Sequence, residues 1–347
     1  MVDNYQLVQH VDGNAGFCAI LTYTLNGIRL ALRDGAIPVV NYTGESTKFF
    51  YESRYGPNVW DYYFLPVAGI GYDELNAKIA NGSVLPEQVS SYTRRQICQW
   101  HHSDPDRVAT FWAKDEPEDP ATWMKSKREL GRKLVADHIR VKPHITGIVD
   151  AFCQQWIEPQ FTIGVHIRGT DFAYAEPTTP EQYFSAIERF LSEHGQEPYR
   201  IFLATDQNQF VDLFRDRFED RVITYDALRS NSRRPPFKFS SVSPYKRGED
   251  VLIDVLLLSR CDFLFKGAAA GGEYALWFNS ALECHDFALE SEFDPRHFKE
   301  LETAYYKLNI GQWSPPWWKP TRWSRVMRDL WFSLQRRIRR ISQTLSR

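Results

Sequence analysis

Short apolar runs alternate with helical patterns along the second half of the chain. The first run, Phe161 to Ile167, has apolar residues at every second position, which predicts a strand with one buried face. The predicted strands are 162–169, 199–206, 221–227, 262–267 and 284–289, and the predicted helices are 180–195, 208–218, 248–261 and 271–282. Strands that alternate with helices of this length predict a parallel sheet with helices on both faces.

The beginning of the chain has the pattern of a βαβ unit. Its predicted elements are a strand at 5–11, a helix at 17–33 and a strand at 37–41. The loop before the helix contains Gly13 and Gly16, which are open to two interpretations. Their N–H groups could bind an anion at the start of the helix, or the glycines could form a tight turn for packing alone.

The length of the chain predicts two cores. It has 347 residues, of which 43% are hydrophobic, which is enough for two domains of ordinary size. Two helical patterns, at 120–139 and 143–157, separate the halves. We therefore predict an N-terminal α/β domain at 1–155, a C-terminal domain with a parallel sheet at 156–312 and a tail at 313–347.

The tail at 313–347 has a strong net positive charge. Residues 313–347 contain nine Lys and Arg against the single acidic residue Asp329, while the whole chain has a net charge of −2 and gives no indication of a nucleic-acid partner. Apolar residues recur every three or four positions from Trp323 to Leu345, which predicts a basic amphipathic helix. Such a helix could bind an anionic membrane surface through residues 320–347, beside a lipid-linked acceptor, or pack on the N-terminal domain.

Targeting and redox signals favour a cytoplasmic protein. The five cysteines are odd in number and dispersed, which argues against a disulfide framework. The N-terminus lacks a basic region followed by an apolar run, and no stretch reaches the roughly 18 apolar residues of a membrane span. We expect a cytoplasmic location, peripheral at the inner face of the membrane if the tail binds lipid.

The strongest chemical signal is the stretch IGVHIRGTDF. His166 and Arg168 share one face of the strand, and a guanidinium there suits a phosphate because it donates two hydrogen bonds at once. The alternative is that Arg168 pairs with Asp171 and that His166 is a hydrogen-bonded core residue. Asp206 ends another predicted strand, where it either faces a cleft or caps the following helix.

Metal and other common cofactor chemistry is not indicated. The sequence Asp104-Pro105-Asp106 does not follow an apolar strand, so a solvated loop is predicted there, and the histidines form no cluster with ligand spacing. GxSxG, Walker A and GxGxxG motifs do not follow any predicted strand. We expect neither a metal nor a cofactor.

Several motifs in fixed order resemble one enzyme family. They are HIRGTD at 166–171 with Glu176, ATD at 204–206, and LIDVLLLSRCDFL at 252–264 before a turn of small residues. Together they resemble the GDP-fucose-dependent fucosyltransferases, in particular the core α1,6-fucosyltransferases and their rhizobial nodulation relatives. The resemblance covers roughly residues 140–290, and the N-terminal 120 residues resemble bacterial surface-polysaccharide enzymes.

The resemblance implies an architecture and an activity. The fold would be α/β and GT-B-like, with two Rossmann-like domains facing a cleft. The enzyme would be an inverting, metal-independent glycosyltransferase that transfers fucose from GDP-fucose to a glycan hydroxyl, in the assembly of surface polysaccharide or glycolipid.

The resemblance also implies roles for individual residues. His166 and Asp254 would bind the guanine, since a carboxylate accepts from both guanine donors, and Arg168 would bind the β-phosphate. Backbone N–H groups at Ala270 and Gly271 would bind the diphosphate, where the family has a serine hydroxyl that this chain lacks.

Catalysis by the resembled family requires a base and a cation for the leaving group. Glu176 lies ten residues after His166, at the position of the proposed base. Arg168, with Lys266 or a basic residue of the loop at 228–247, would offset the charge of the departing diphosphate.

Two departures from the family keep alternatives open. Many relatives have a second Arg where this chain has Gly169, and a Lys where it has Phe172. The loss of both cations favours a glycosyltransferase that uses another nucleotide sugar. The remaining alternative is a catalytically silent protein that binds a glycan or a nucleotide.

Overall fold

The N-terminal part of the chain contains a parallel sheet. The structure is a computed structural model that describes residues 3–9, 11, 13, 15–99, 104–112, 116, 118–170, 178–195, 198–232 and 234–290. The strands β1 (Tyr5–Val8), β2 (Ile37–Val40) and β3 (Val89–Ser91) pair in the order β2-β1-β3. Helix α1 (Phe17–Arg33) connects β1 to β2, which confirms the predicted βαβ unit.

Among the described residues, five α-helices lie between β2 and the first strand of the second sheet, two before the short strand β3 and three after it. Their bounds are α2 Trp60–Tyr63, α3 Tyr72–Ala80, α4 Arg94–Ile97, α5 Pro120–His138 and α6 Pro143–Phe152. The predicted helix at 143–157 is correct in place but changes character at its end, because Cys153–Ile157 form a π-helical turn.

The second sheet confirms the predicted alternation of strands and helices. Its strands are β4 Phe161–Ile167, β5 Tyr199–Thr205, β6 Val222–Ile223, β7 Phe263–Lys266 and β8 Glu283–Asp286. They pair in parallel in the order β6-β5-β4-β7-β8. The helices are α7 Pro180–His194, α8 Asn208–Phe218, α9 Pro244–Leu258 and α10 Ala270–Phe278. The predicted α/β class with two parallel, Rossmann-like sheets is therefore confirmed.

Local sequence signals set the ends of several helices. Thr179 accepts a hydrogen bond from the backbone N–H of Gln182 and forms a capping box at the start of α7. Gly195, which has a φ of 61°, ends the same helix in the left-handed conformation that glycine favours. Helix α9 begins with Pro244 after the N-cap residue Ser243.

The register of the second sheet brings its polar strand ends together. Ile167 of β4 lies opposite Thr205 of β5, so the residues that follow, Arg168 and Asp206, emerge side by side. Ile163 and Val165 are fully buried in a core cluster with residues of α7 and α8. Thr162 and Gly164 are buried as well, so both faces of β4 are covered rather than the one face predicted, and the strand directs its end toward one edge of the sheet.

The described residues belong to one compact unit that spans Met1–Tyr305. The predicted domain boundary near residue 155 stays a prediction, and the tail at 313–347 lies outside the described residues. Within the described residues, no helix has the length and apolar character needed to cross a bilayer.

Candidate active site

A cavity of about 500 Å³ lies at the carboxyl ends of β4 and β5. The starts of α1 and α10, one face of α9 and residues 236–238 complete its wall, so both halves of the chain contribute to it. Ligands of open α/β sheets bind at this edge. The residues singled out from the sequence that line the cavity are Gly16, His166, Arg168, Asp206, Asp254, Ala270 and Gly271.

Asp206 holds Arg168 in place at the cavity. The Nε of Arg168 lies 3.0 Å from Oδ2 of Asp206. The same carboxylate accepts hydrogen bonds of 2.6 Å each from the backbone N–H of Gly169 and the hydroxyl of Thr170. The N-cap of the following helix is Gln207 rather than Asp206. Asp206 therefore positions Arg168, and its direct contact with a donor stays a prediction.

The packing around Gly169 explains why no second arginine stands there. A Cβ on this residue would lie 2.3 Å from Oε1 of Gln207 and 2.7 Å from the ring of Phe210. Gln207 is itself fixed by a 3.0 Å hydrogen bond to the carbonyl oxygen of Ser232. A side chain at position 169 would thus require neighbouring residues to move. Glycine at position 169, where many members of the resembled family have arginine, therefore fits the packing of this fold.

Asp254 presents a carboxyl group that the protein does not satisfy. Its Oδ1 is buried and has no hydrogen-bond partner among the described residues. Burial raises the pKa of Asp254 to about 8, and the positive charge of Arg229 opposes this shift only in part. One turn earlier, Asp250 is instead paired with Lys246 at 2.5 Å. Asp254 is therefore the cavity carboxyl that is left for a ligand with N–H donors.

His166 is a neutral imidazole in the cavity wall. Burial, with the nearby charges of Lys266 and Arg168, lowers its pKa to about 3. Its Nδ1 is buried without a hydrogen-bond partner among the described residues. A Cβ on Gly271 would lie only 2.6 Å from its Nε2, so glycine at 271 allows the imidazole its position. His166 can therefore offer both a donor and an acceptor to a ligand.

Two helix N-termini add backbone donors to the cavity. The N-cap residues of α1 and α10 are Gly16 and Ala269. Neither residue has a side-chain acceptor that could cap the first N–H groups of its helix. Uncapped N–H groups at a helix start favour an anion. Of the two loop glycines, Gly16 lines the cavity, whereas a Cβ on Gly13 would lie 2.9 Å from the carbonyl oxygen of Glu45.

Lys266, which the sequence suggested as a possible leaving-group cation, lies in a buried cluster of charges. Its Nζ lies 2.7 Å from Glu273 and 2.8 Å from Asp286, and all three side chains are at most 2% exposed. Arg128 of α5 contacts both carboxylates as well. Although burial opposes it, the two carboxylates raise the pKa of Lys266. The ammonium group is therefore committed to a buried ion-pair network.

The loop and helix at 236–247 contribute residues that the sequence did not single out one by one. The ring centroids of Phe237 and Phe49 are 5.3 Å apart. The guanidinium carbon of Arg168 lies 5.7 Å from the ring centroid of Phe237. Lys238 and Arg247 also line the cavity. The sequence signal was the basic composition of residues 228–247, which did not reveal which of the cations face inward.

Other predicted residues fall elsewhere or outside the described part of the chain. Glu176, Asp171 and Phe172 lie outside the described residues. Asp104 forms an ion pair with Arg29. It is not among the described residues that line the cavity. No group of three or more potential metal ligands occurs among the described residues.

A known protein is similar in sequence to part of this chain. Nodulation protein Z of Bradyrhizobium diazoefficiens is 26% identical over 166 residues, which cover 45% of this chain and 43% of that protein. The predicted resemblance is confirmed. The match spans less than half of the length of this relative, and no family model matches the chain.

Two solved structures of fucosyltransferases are similar to this chain at low sequence identity. NodZ alpha-1,6-fucosyltransferase soaked with GDP-fucose is 18% identical, with a TM-score of 0.48 over 80% of this chain and 93% of that one. POFUT1 in complex with GDP is 11% identical, with a TM-score of 0.49 over 82% of this chain and 99% of that one.

Proposed function

We propose that the chain is a glycosyltransferase that transfers fucose from GDP-fucose to a glycan hydroxyl. The observation that carries this proposal is the convergence of two kinds of group in one cavity. Arg168 and the starts of α1 and α10 suit a diphosphate, while the carboxyl of Asp254, whose Oδ1 has no partner in the described part of the chain, suits a base with adjacent N–H donors. Guanine presents two such donors, and the partial sequence similarity to Nodulation protein Z is consistent with the proposal.

Each of these residues has a separate role in the proposed transfer. The acceptor oxygen attacks the anomeric carbon of the sugar, its proton passes to a general base, and the bond from that carbon to the β-phosphate oxygen breaks. The electron pair of the broken bond stays on the diphosphate, where Arg168 and backbone N–H groups near Ala270 stabilise it. His166 and Asp254 hold the guanine, which fixes the distance between sugar and acceptor.

Ligand-induced stabilisation tests the donor. GDP and GDP-fucose are expected to raise the melting temperature by several degrees, since a ligand at about 100 times its Kd adds roughly 2.7 kcal/mol. GDP-mannose, UDP-glucose and UDP-GlcNAc serve as comparisons, each with and without Mg²⁺. The shift is expected to disappear in the Arg168→Ala variant, and an equal shift from UDP-sugars would refute the assignment.

Glu176 is proposed as the general base. Its replacement in a Glu176→Gln variant is expected to lower the transfer rate by about 100-fold or more, because the amide cannot accept the acceptor proton. GDP-fucose binding should remain as in the unmodified chain, which isothermal titration calorimetry can check. Unchanged turnover would remove Glu176 from the mechanism.

Another nucleotide sugar is the second candidate donor. Gly169 and Phe172 replace two cations of many relatives, which weakens the contacts expected for a GDP-fucose diphosphate. The stabilisation experiment separates the cases, since the second candidate predicts a shift with a UDP-sugar or GDP-mannose. A catalytically silent binding protein would bind donor and release no GDP in the presence of glycan acceptors.

We also propose that the enzyme acts at a membrane surface on a lipid-linked or surface-polysaccharide acceptor, and that transfer requires no metal. The basic amphipathic pattern of residues 320–347 supports it. The full chain is expected to co-sediment with anionic liposomes, and removal of residues 320–347 is expected to abolish this. Equal partitioning of both forms would exclude the tail as the membrane contact.

A further inference from the structure

Arg247 of α9 is a buried cation in the cavity wall. The residue is 8% exposed and lines the cavity. Its Nη1 donates to the carbonyl oxygens of Phe49 at 3.1 Å and Phe237 at 3.3 Å, and its Nη2 donates to that of Val242 at 2.6 Å. Its Nε has no partner among the described residues. A guanidinium has five N–H donors, so these three bonds leave about two donors unused.

The charge of Arg247 has no direct counter-ion among the described residues, because the three hydrogen bonds end on neutral carbonyl groups. The carboxylate of Glu52 acts on Arg247 electrostatically. It already accepts hydrogen bonds from the hydroxyl of Ser243 and the backbone N–H of Tyr245, and it forms an ion pair with Arg54. Burial and the nearby Arg234 lower the pKa of Arg247. A buried charge without a paired partner is unfavourable, and an anion in the cavity would relieve it.

The residue that follows Arg168 at the end of β4 cannot supply a second cation to the cavity. The position after Arg168 is closed to a side chain, because a Cβ on Gly169 would lie 2.3 Å from Gln207. Arg247 comes from a different element, the first turn of α9, yet it borders the same cavity as Arg168. The geometry thus offers one guanidinium from the end of β4 and another from α9.

We propose that Arg247 contacts the diphosphate of the donor and is the second cation of the leaving-group site. The proposal rests on the proposed function. When the bond from the anomeric carbon to the β-phosphate oxygen breaks, the electron pair and the negative charge remain on the diphosphate, and Arg168 and Arg247 stabilise that charge. The acceptor proton goes to the general base. Arg247 forms no covalent bond and gives up no proton.

Calorimetric titrations with guanosine, GMP and GDP test the contact. An Arg247→Met variant is expected to lose about 10- to 100-fold of the preference for GDP over guanosine, as expected for a charge-assisted hydrogen bond. Its affinity for guanosine should match that of the unmodified chain, because the guanine contacts are unchanged, and this also reports correct folding. Arg260→Met is the matched control, since Arg260 is 52% exposed and pairs with Asp150 on the surface.

Each outcome decides between the two proposals. If the unmodified chain binds neither guanosine nor GDP, the proposed function and the role of Arg247 both fall. If it binds GDP and Arg247→Met keeps the full preference for GDP, only the role of Arg247 is overturned. Should Arg247→Met fail to fold, Arg247→Lys replaces it: the preference is expected to fall about tenfold because lysine lacks the planar fork, and an unchanged preference overturns the proposal.

Discussion

Replacement of Asp254 by Asn is expected to stabilise the protein above neutral pH and to weaken GDP binding by about 1000-fold, since two charge-assisted hydrogen bonds are lost. The two effects have one cause. The buried Oδ1 of Asp254 has no partner among the described residues, so the ionised carboxylate destabilises the folded state until a ligand supplies donors. The amide of Asn is uncharged at every pH, but it cannot accept both guanine hydrogens.

The pH window follows from the pKa of Asp254, which burial raises to about 8 from the ordinary value of 3.8. Between these values the folded chain holds a proton that the unfolded chain releases, so stability falls as pH rises through this window. We expect the free energy of unfolding of Asp254→Asn, relative to that of the unmodified chain, to rise by about 1–3 kcal/mol between pH 5 and pH 9. Urea denaturation at both values of pH measures this difference.

Ligand binding has the opposite dependence on pH. Guanine requires the ionised carboxylate, so GDP affinity is expected to rise by up to about tenfold per pH unit between pH 6 and 8 in the unmodified chain. Asp216→Asn, at an exposed position of α8, is the control and should change neither quantity. Full GDP affinity in Asp254→Asn, or an unchanged difference in stability from pH 5 to pH 9, would contradict this account of Asp254.

Replacement of Lys266 by Met is expected to destabilise the chain by about 3–5 kcal/mol, as when one partner of a buried ion pair is removed. The reason is that Glu273 and Asp286, at 0% and 2% exposure, would be left with Arg128 alone. Although burial opposes the shift, Lys266 and Arg128 lower the pKa of Glu273 to about 2, so the carboxylate is charged at neutral pH. Chemical denaturation measures the loss.

Matched variants separate this structural role from a catalytic one. Lys78→Met removes an exposed pair with Glu74 and should cost no more than about 0.5 kcal/mol. The double variant Lys266→Met/Asp286→Asn should recover part of the loss, because one buried charge is removed with its partner. If Lys266→Met leaves stability within about 1 kcal/mol of the unmodified chain but lowers transfer, Lys266 is a leaving-group cation after all.

Much of the fold could be predicted because its signals are local. Alternating apolar residues marked β4, and the sequence TPEQ at 179–182 together with Gly195 marked both ends of α7. The region between residues 44 and 120 could not be ordered from its sequence. Strand β3 has only three residues there, and its pairing with β1 joins positions more than 80 residues apart.

The sequence by itself determined the class of the sheets, the strand ends that carry His166 and Arg168, and the resemblance that drew attention to Asp254. These features depend on periodicity and short motifs, which neighbouring residues encode. Only the tertiary structure decided which cations face the cavity. Lys266 and Arg247 are both basic residues near the motifs, but Lys266 shares the carboxylates of Glu273 and Asp286 with the distant Arg128. The hydrogen bonds of Arg247 to the described residues end on carbonyl groups instead. Whether a charge is neutralised depends on residues brought together from across the chain, and local sequence does not record those partners.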